Sequence, residues 1–137
     1  MNNVSTAQGL DELASTLMFA SAAGDVETML RILDPKVRWH LPQSVSRYGL
    51  DVTVEGSEAY VRMVQWSRST NYKTIAFDVQ QIVVTGTVVA ALARLRGVTH
   101  KDRAYDNQYG FFLKFETARV VEGWELADTA YAAEIFA

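Results

Sequence analysis

The sequence predicts an α+β fold in which a long, curved antiparallel sheet wraps around three helices from the first half of the chain. Two observations predict it: apolar residues recur every three or four positions before residue 70, and every second position after residue 72. A flat sheet of such long strands would leave one apolar face in water, so the helices must fill a concave side. With 137 residues, 49% of them hydrophobic and 21% charged, the chain suits one globular domain spanning residues 1–137.

Two helices are expected at the start of the chain. Ser5 and Gln8 have the spacing of a capping box, and an apolar face follows until Gly24, which is typical of a helix end. Asp25 can cap a second helix, which Pro35 must end because proline lacks an amide hydrogen and restricts the residue before it.

A short strand, a loop and a third helix follow. Residues 37–41 are rich in strand-forming types and are closed by Pro42, which predicts a short strand at an edge of the sheet. Residues 43–56 are polar and predict a loop. Ser57 is expected to cap a helix that runs to about Thr70.

The second half of the chain is expected to be an antiparallel meander. A strand runs from Tyr72 to a turn at Thr85 and Gly86, and further strands are expected at 87–98, 104–115 and 119–127. The predicted order of elements is therefore ααβαββββ. On the first long strand, the residues predicted to share one face are Ile75, Phe77, Val79, Gln81 and Val83.

Composition excludes several classes of partner and chemistry. The net charge is −3 and the 13 basic residues form no run, so neither nucleic acid nor a membrane surface is expected as a partner. There is no cysteine and there are only two histidines, far apart in sequence, so no metal site is expected. No apolar stretch approaches the roughly 20 residues that span a bilayer, and the N-terminus lacks a signal-peptide pattern. We therefore expect a cytoplasmic protein.

Five short stretches carry a resemblance to a known family. In chain order they are FASAAGD at 19–25, VRWHLP at 37–42, GSEA at 56–59, DNQYGFF at 106–112 and VVEGWELADT at 120–129. Together with the order of elements, they resemble the nuclear transport factor 2-like superfamily over nearly the whole chain. The last two stretches are similar to its branch of SnoaL-like polyketide cyclases and ketosteroid-isomerase-like proteins.

The resemblance implies a cone-shaped fold, a homodimer and a deep pocket for a small apolar or aromatic molecule, without a cofactor. Such pockets isomerise, cyclise, dehydrate or hydrate apolar compounds, but the superfamily also contains many non-enzymes, and a fold alone does not decide function. Three functions stay open: a cofactor-free lyase or isomerase acting on an apolar carbonyl compound, a non-catalytic ligand-binding or accessory domain, and a structural dimerisation module.

Asp128 and His40 are the candidate catalytic residues for proton transfer. Asp128 resembles the family's terminal Asp, and it would equally suit the N-cap of a C-terminal helix. His40 stands near the position where steroid isomerases place their base. If the comparison is anchored on Pro42, that position falls on Leu41, and His40 faces the other way with Arg38 in a structural or surface role.

Glu125 lies three residues before Asp128, on the opposite face of a regular strand, so at most one of the two points inward. A solvated or salt-bridged strand carboxylate is the alternative for Glu125. Asn107 and Tyr109 share a strand face and could together hydrogen-bond a carbonyl or enolate oxygen. Arg94 could bind an acidic ligand group if it faces inward, or be solvated.

Aromatic residues are abundant and suit a pocket for a flat apolar ligand, although most could equally be core. Those expected to line it, besides Tyr109, include Trp39, Tyr48, Trp66 and Trp124.

Overall fold

The computed structural model describes the backbone of residues 6–137 and the side chains from residue 9 onward, so the capping box proposed for Ser5 and Gln8 lies outside the described residues. The helices are Thr6–Ala23 (α1), Val26–Ile32 (α2), Ser57–Asn71 (α3) and Thr129–Phe136 (α4), with a 3₁₀ turn at Gln43–Tyr48. The strands are Leu33–His40 (β1), Thr53–Glu55 (β2), Tyr72–Thr85 (β3), Val88–Thr99 (β4), Ala104–Glu116 (β5) and Arg119–Ala127 (β6).

All six strands join one sheet in the order β2-β1-β6-β5-β4-β3. The predicted α+β class with a curved sheet is confirmed, and β2 and α4 add to the predicted order. β1 is not an edge strand as expected, because it pairs in parallel with β6 and antiparallel with β2. β2 has three residues, which is too short for an alternating pattern to reveal within the predicted loop.

The predicted signals at the first two helix junctions are observed. Gly24 ends α1 with φ of 75°, a left-handed conformation that glycine adopts without steric cost. Asp25 caps α2 by accepting a hydrogen bond from the amide of Thr28 at 3.2 Å. At α3 the N-cap is Gly56 rather than Ser57, and no side chain caps that end.

A bulge in β3 overturns part of the predicted face. The register against β4 shifts between Val79 and Gln81, so the side chains that follow point to the face opposite to the predicted one. As a result Ile82 is half-buried and Val83 is 54% exposed, the reverse of the expectation.

The helices occupy the concave side of the sheet, where β1 and the long strands contribute their inward residues to one core. The β5–β6 hairpin pairs Glu116 with Arg119 at its turn and Tyr109 with Ala127 at its far end, and its register shifts by one residue between Phe115 and Lys114. Its loop residues Thr117 and Ala118 take positive φ values of 51° and 61°, where hairpins usually place Asn or Gly. No helix within residues 6–137 is long and apolar enough to cross a membrane. The cytoplasmic location therefore stays a prediction from the sequence.

Candidate functional site

A cavity of about 490 Å³ lies between the concave face of the sheet, α1, α3, α4 and the 3₁₀ turn. Its wall is mostly apolar and aromatic, as is typical of small-molecule sites. Five of the eight residues predicted to bind a ligand are on this wall: Trp39, Tyr48, Trp66, Tyr109 and Glu125.

Glu125 supplies the only carboxyl group to the cavity wall among the described residues. It lies on β6 opposite Phe111 of β5, and both side chains point to the concave face. Burial raises the pKa of Glu125 from 4.5 to about 7, because an ionised carboxylate loses its hydration among apolar groups. A hydrogen bond from Trp39 Nε1 to Glu125 Oε1, at 3.1 Å, partly offsets that shift. At neutral pH both protonation states of Glu125 are therefore populated.

Trp39 owes its position to Gly123. A Cβ atom at residue 123 would lie 2.4 Å from the ring of Trp39, so only glycine lets the indole rest on β6 at this point. The same ring packs edge-on against Tyr60 of α3, with centroids 4.8 Å apart. The indole is thereby clamped between sheet and helix, with its N–H directed to Glu125.

Two groups of hydroxyls contribute to the polar part of the wall, which also includes Ser44, Ser67, Arg68, Asn71 and Thr129. Tyr60 and Ser21 share a hydrogen bond of 2.8 Å between α3 and α1. On β5, the hydroxyls of Tyr105 and Tyr109 lie 3.0 Å apart, and Tyr72 of β3 packs edge-on against Tyr105. Burial raises the pKa of Tyr60 and Tyr109 well above the usual value, so these hydroxyls stay neutral donors.

Asn107 is 2% exposed and does not contact the cavity directly. Its amide nitrogen donates to the Tyr105 hydroxyl at 2.9 Å and to the backbone oxygen of Asp128 at 3.1 Å. It shares a buried face with Tyr109, as predicted, but it supports the hydroxyls from behind. The expectation that Asn107 itself holds a ligand oxygen is therefore not met.

His40 lies on the outer face of the sheet, away from the cavity. Its ring joins Thr53 Oγ1 at 3.0 Å and Glu122 Oε2 at 2.7 Å, and it stacks on Trp124. Arg38 reaches the same Glu122 carboxylate. Of the two alternatives for His40, the structure has the outward orientation that follows from anchoring the comparison on Pro42. His40 is therefore not in a position to act on a ligand in the cavity.

Asp128, Arg94 and Trp124 are also absent from the cavity wall. Asp128 is exposed and caps α4 by accepting a hydrogen bond from the amide of Tyr131 at 3.0 Å. Arg94 pairs with Asp106 at 2.7 Å on the outer face. Trp124 lies on that face as well, because residues on either side of Glu125 point away from it. Glu125 replaces Asp128 and His40 as the candidate residue for proton transfer.

The family model of the SnoaL-like domain matches residues 14–123, which is most of the chain. This chain belongs to the SnoaL-like domain family. Glu125 lies just beyond the matched stretch of this SnoaL-like domain. Comparison with curated protein sequences finds no match.

Solved structures show the same fold at low identity. An NTF2-like protein of unknown function from Burkholderia pseudomallei is 21% identical, with a TM-score of 0.83 over 93% of this chain and 96% of that one. IdmH, a candidate polyketide cyclase from Streptomyces antibioticus, is 21% identical, with a TM-score of 0.80 over 92% and 96%. TerC, co-crystallised with polyporic acid, is 14% identical, with a TM-score of 0.82 over 93% and 97%.

Sequence reasoning gave too little weight to Glu125 and missed Tyr60 and Ser21. One signal was available for Glu125: a glycine inside a strand often marks a close approach, and Gly123 shares its face with Glu125. No comparable signal marks Tyr60 or Ser21, because their hydrogen bond joins two helices 39 residues apart in sequence.

Proposed function

We propose that this SnoaL-like domain binds a small apolar carbonyl compound in its cavity and that Glu125 moves a proton on it, without a cofactor. The observation that carries the proposal is that, among the described residues, a single carboxyl group with a pKa of about 7 lies on a wall that is mostly aromatic and apolar. A group that titrates near the working pH is suited to both taking and returning a proton.

The chemistry that fits one such group is a proton shift. The Glu125 carboxylate removes a proton from a carbon next to the carbonyl, and the electron pair of the C–H bond moves toward the carbonyl oxygen to form an enolate. The protonated carboxyl then returns the proton to a carbon of the same molecule, so atoms and charge balance. Isomerisation and ring closure by carbon–carbon bond formation both begin with the first step.

Two proteins with the same fold have descriptions that fit this class. IdmH is described as a candidate polyketide cyclase, and TerC was crystallised with polyporic acid. At these identities the likeness supports the fold only, so the choice of proton transfer rests on Glu125 and its surroundings.

The test is turnover of a panel of enones and hydroxyketones, combined with deuterium exchange at carbons next to the carbonyl. Glu125→Gln should lower the rate about 10²–10⁴-fold, the usual contribution of a positioned general base. Glu122→Gln, on the outer face of the same strand, is the matched control and should keep the wild-type rate. Equal rates for wild type and Glu125→Gln would refute proton transfer by this residue.

A non-catalytic ligand-binding domain is the second candidate. One observation favours it: no second carboxylate or imidazole joins Glu125 on the cavity wall among the described residues. In that case the panel would bind with no turnover and no exchange, and Glu125→Gln would change affinity alone.

We also propose that the protein forms a homodimer through the outer face of the sheet. Leu92, Phe112 and Leu126 are 44%, 51% and 64% exposed there. Gly110 of β5 pairs with Leu92 on one side and Leu126 on the other, so the apolar surface is continuous across three strands. Exposed apolar patches of this kind are typical of association sites.

Light scattering after size exclusion tests the dimer. The wild type should elute with about twice the mass of one chain, and Leu126→Arg should shift the population to monomer by placing a charge in the interface. Phe19→Arg, at an exposed position of α1 that is not on the sheet, is the control and should leave the mass unchanged. A monomeric wild type at all concentrations would refute the proposal.

A further inference from the structure

Arg68 supplies the only basic side chain to the cavity wall among the described residues. It lies in the last turn of α3 and is half-buried. The other half-buried arginine of the described chain, Arg94, pairs with Asp106 on the outer face. Arg68 forms no ion pair within residues 9–137, and residues 1–8 contain no Asp or Glu. The cavity wall therefore has a cation to which the chain supplies no carboxylate.

The guanidinium of Arg68 is held against the C-terminal end of α1. Its Nε donates at 2.8 Å to the backbone oxygen of Ala22, one of the last four carbonyls, which the helix itself leaves without a partner. Gly24 leaves room for the group, because a Cβ atom at residue 24 would lie 2.7 Å from Nη1. These contacts fix the position of the guanidinium without neutralising its charge.

Most of the hydrogen-bonding capacity of this guanidinium is unused. The bond to Ala22 takes one of its five N–H groups. The terminal nitrogens, Nη1 and Nη2, carry the other four, and none of these has a hydrogen-bond acceptor among residues 9–137. The edge between the two nitrogens matches the two oxygens of a carboxylate. Arg68 can thus bind an acid through two parallel hydrogen bonds while it keeps its contact with α1.

Arg68 lies where the cavity meets the surface of the protein. It lines both the cavity and a neighbouring groove on the outside, as Trp66 does. Trp66 and Tyr48, which are 47% and 65% exposed, line the cavity at the same boundary. Ser67 and Asn71, close to Arg68 on α3, add polar groups to this part of the wall. We call this part of the cavity its mouth.

Glu125 lies apart from Arg68 in the cavity. A nearby cation would lower the pKa of a carboxyl group, but the pKa of Glu125 responds to burial and to the Trp39 indole, and Arg68 is not among the causes. The one acid and the one base of the described wall therefore do not neutralise each other. They present opposite chemistry to different parts of a ligand.

We infer that Arg68 binds a carboxylate at the mouth of the cavity, and that the ligands are acids with an apolar or aromatic body, which extends inward among the aromatic side chains. The sequence suggested such a role for Arg94, which the structure places on the outer face. The inference rests on the proposed ligand-binding role of the cavity and does not depend on proton transfer by Glu125.

The test compares 2-naphthoate with 2-naphthamide, two ligands of nearly equal shape of which only the first is charged. Affinities are measured by displacement of the apolar dye N-phenyl-1-naphthylamine at about pH 6, where a carboxylic acid in water is ionised and Glu125 is mostly protonated. Wild type should bind the acid about tenfold more tightly than the amide. This is the lower end of the effect of hydrogen bonds to a charged group, because the mouth is open to water.

Substitution of Arg68 tests whether it causes the preference. Arg68→Gln should bind the two ligands equally, because a neutral side chain does not offset the hydration that the carboxylate loses. Arg62→Gln is the matched control, since it removes the same charge from an exposed position of α3 that is not on the wall, and it should keep the preference. A preference that survives in Arg68→Gln would overturn the inference, because another group would then recognise the acid.

A second pair of variants decides the matter if Arg68→Gln fails to fold without its contact to Ala22. Arg68→Lys keeps the charge but replaces the planar fork by a point charge, so the preference for 2-naphthoate should fall several-fold. Arg62→Lys should leave the preference as it is in wild type. An unchanged preference in Arg68→Lys, with Arg68→Gln unfolded, would overturn the inference.

The outcomes separate this inference from the proposed proton transfer. Glu125→Gln should keep the preference for the acid even where it abolishes turnover. Equal affinity of wild type for the acid and the amide would overturn the inference and leave the proposed function standing. If wild type binds neither ligand, both the ligand-binding role and this inference are wrong.

Discussion

Glu122 and Glu125 lie three residues apart on β6 and face opposite sides of the sheet. On the outer face, a hydrogen bond from His40 lowers the pKa of Glu122, and nearby cations act in the same direction. On the inner face, burial raises the pKa of Glu125 to about 7, with only the Trp39 indole to offset it. At neutral pH the same residue type is thus ionised on one face and present in both protonation states on the other.

The difference shows that the two faces of the sheet give charged side chains different environments. Its outer face holds ion pairs such as Arg94 with Asp106 and Arg96 with Asp78, whose partners are exposed to water and stabilise the fold little. Among the described residues, the cavity wall on its inner face has one carboxyl group, the partly buried Glu125, which forms no ion pair. An acid that is shielded from water and lacks such a partner is a feature of functional sites more than of stabilising ones.

The largest expected effect that separates the two faces is the pH dependence of stability. Below pH 4.5 Glu125 is protonated in both the folded and the unfolded chain, and above about pH 7 it is ionised in both. Between these values only the unfolded chain ionises, so the free energy of unfolding falls by about 3 kcal/mol as pH rises. Urea unfolding at a series of pH values should show this fall in wild type and lack it in Glu125→Gln.

Glu122 should affect the pH dependence of the free energy of unfolding in the opposite direction, and Glu122→Gln should remove that effect. Because the folded-state pKa of Glu122 is lowered, its contribution is present at neutral pH and lost as pH falls through that pKa. Identical profiles for wild type and Glu125→Gln between pH 4.5 and 7 would show that Glu125 is hydrated like its outer neighbour.

The next largest effect is the loss of stability expected when Gly123, rather than Gly110, is replaced by alanine. Gly123→Ala forces a Cβ atom to within 2.4 Å of the Trp39 ring and should destabilise the protein by about 1–3 kcal/mol, the usual effect of overpacking. Gly110→Ala is the matched control, since its Cβ would meet only the side chain of Leu126 at 3.9 Å. Thermal unfolding measures both. Equal destabilisation by the two substitutions would mean that the position of Trp39 does not depend on Gly123.

The smallest effect concerns the hydrogen bond between Trp39 and Glu125. Trp39→Phe removes the donor that lowers the pKa of Glu125, so that pKa should rise further, by about half a unit to one unit. A carboxyl ¹³C NMR titration of the variant measures it. A lower pKa in Trp39→Phe would indicate that water reaches the carboxyl once the indole is absent.

Local patterns predicted much of the fold and the facing of some site residues, although Trp124, expected in the pocket, lies on the outer face. Alternation on β5 placed Asn107 and Tyr109 on one inner face, and the three-residue spacing separated Glu125 from Asp128. The helix cap at Asp128 was one of two predicted alternatives, and the outward turn of His40 followed from the Pro42 register. These features depend on neighbours in sequence, which is why the sequence could predict them.

Other features depend on contacts between distant segments, and these the sequence did not reveal. The environment of Glu125 includes Trp39, 86 residues away, and β1 lies inside the sheet because β6 and β2 pair with its two sides. The bulge in β3 falls near Gln80 and Gln81, where no glycine marks it. A carboxylate that looks solvated in sequence becomes buried only when these segments assemble.

The most direct test of the account is a carboxyl ¹³C NMR titration of the wild-type protein labelled at glutamate, with Glu125→Gln and Glu122→Gln to assign the two signals. The Glu125 carboxyl should titrate near pH 7, and the Glu122 carboxyl should titrate below the usual range for glutamate. A Glu125 signal that titrates near 4.5 would contradict the account, because the carboxyl would then be an ordinary anion at neutral pH.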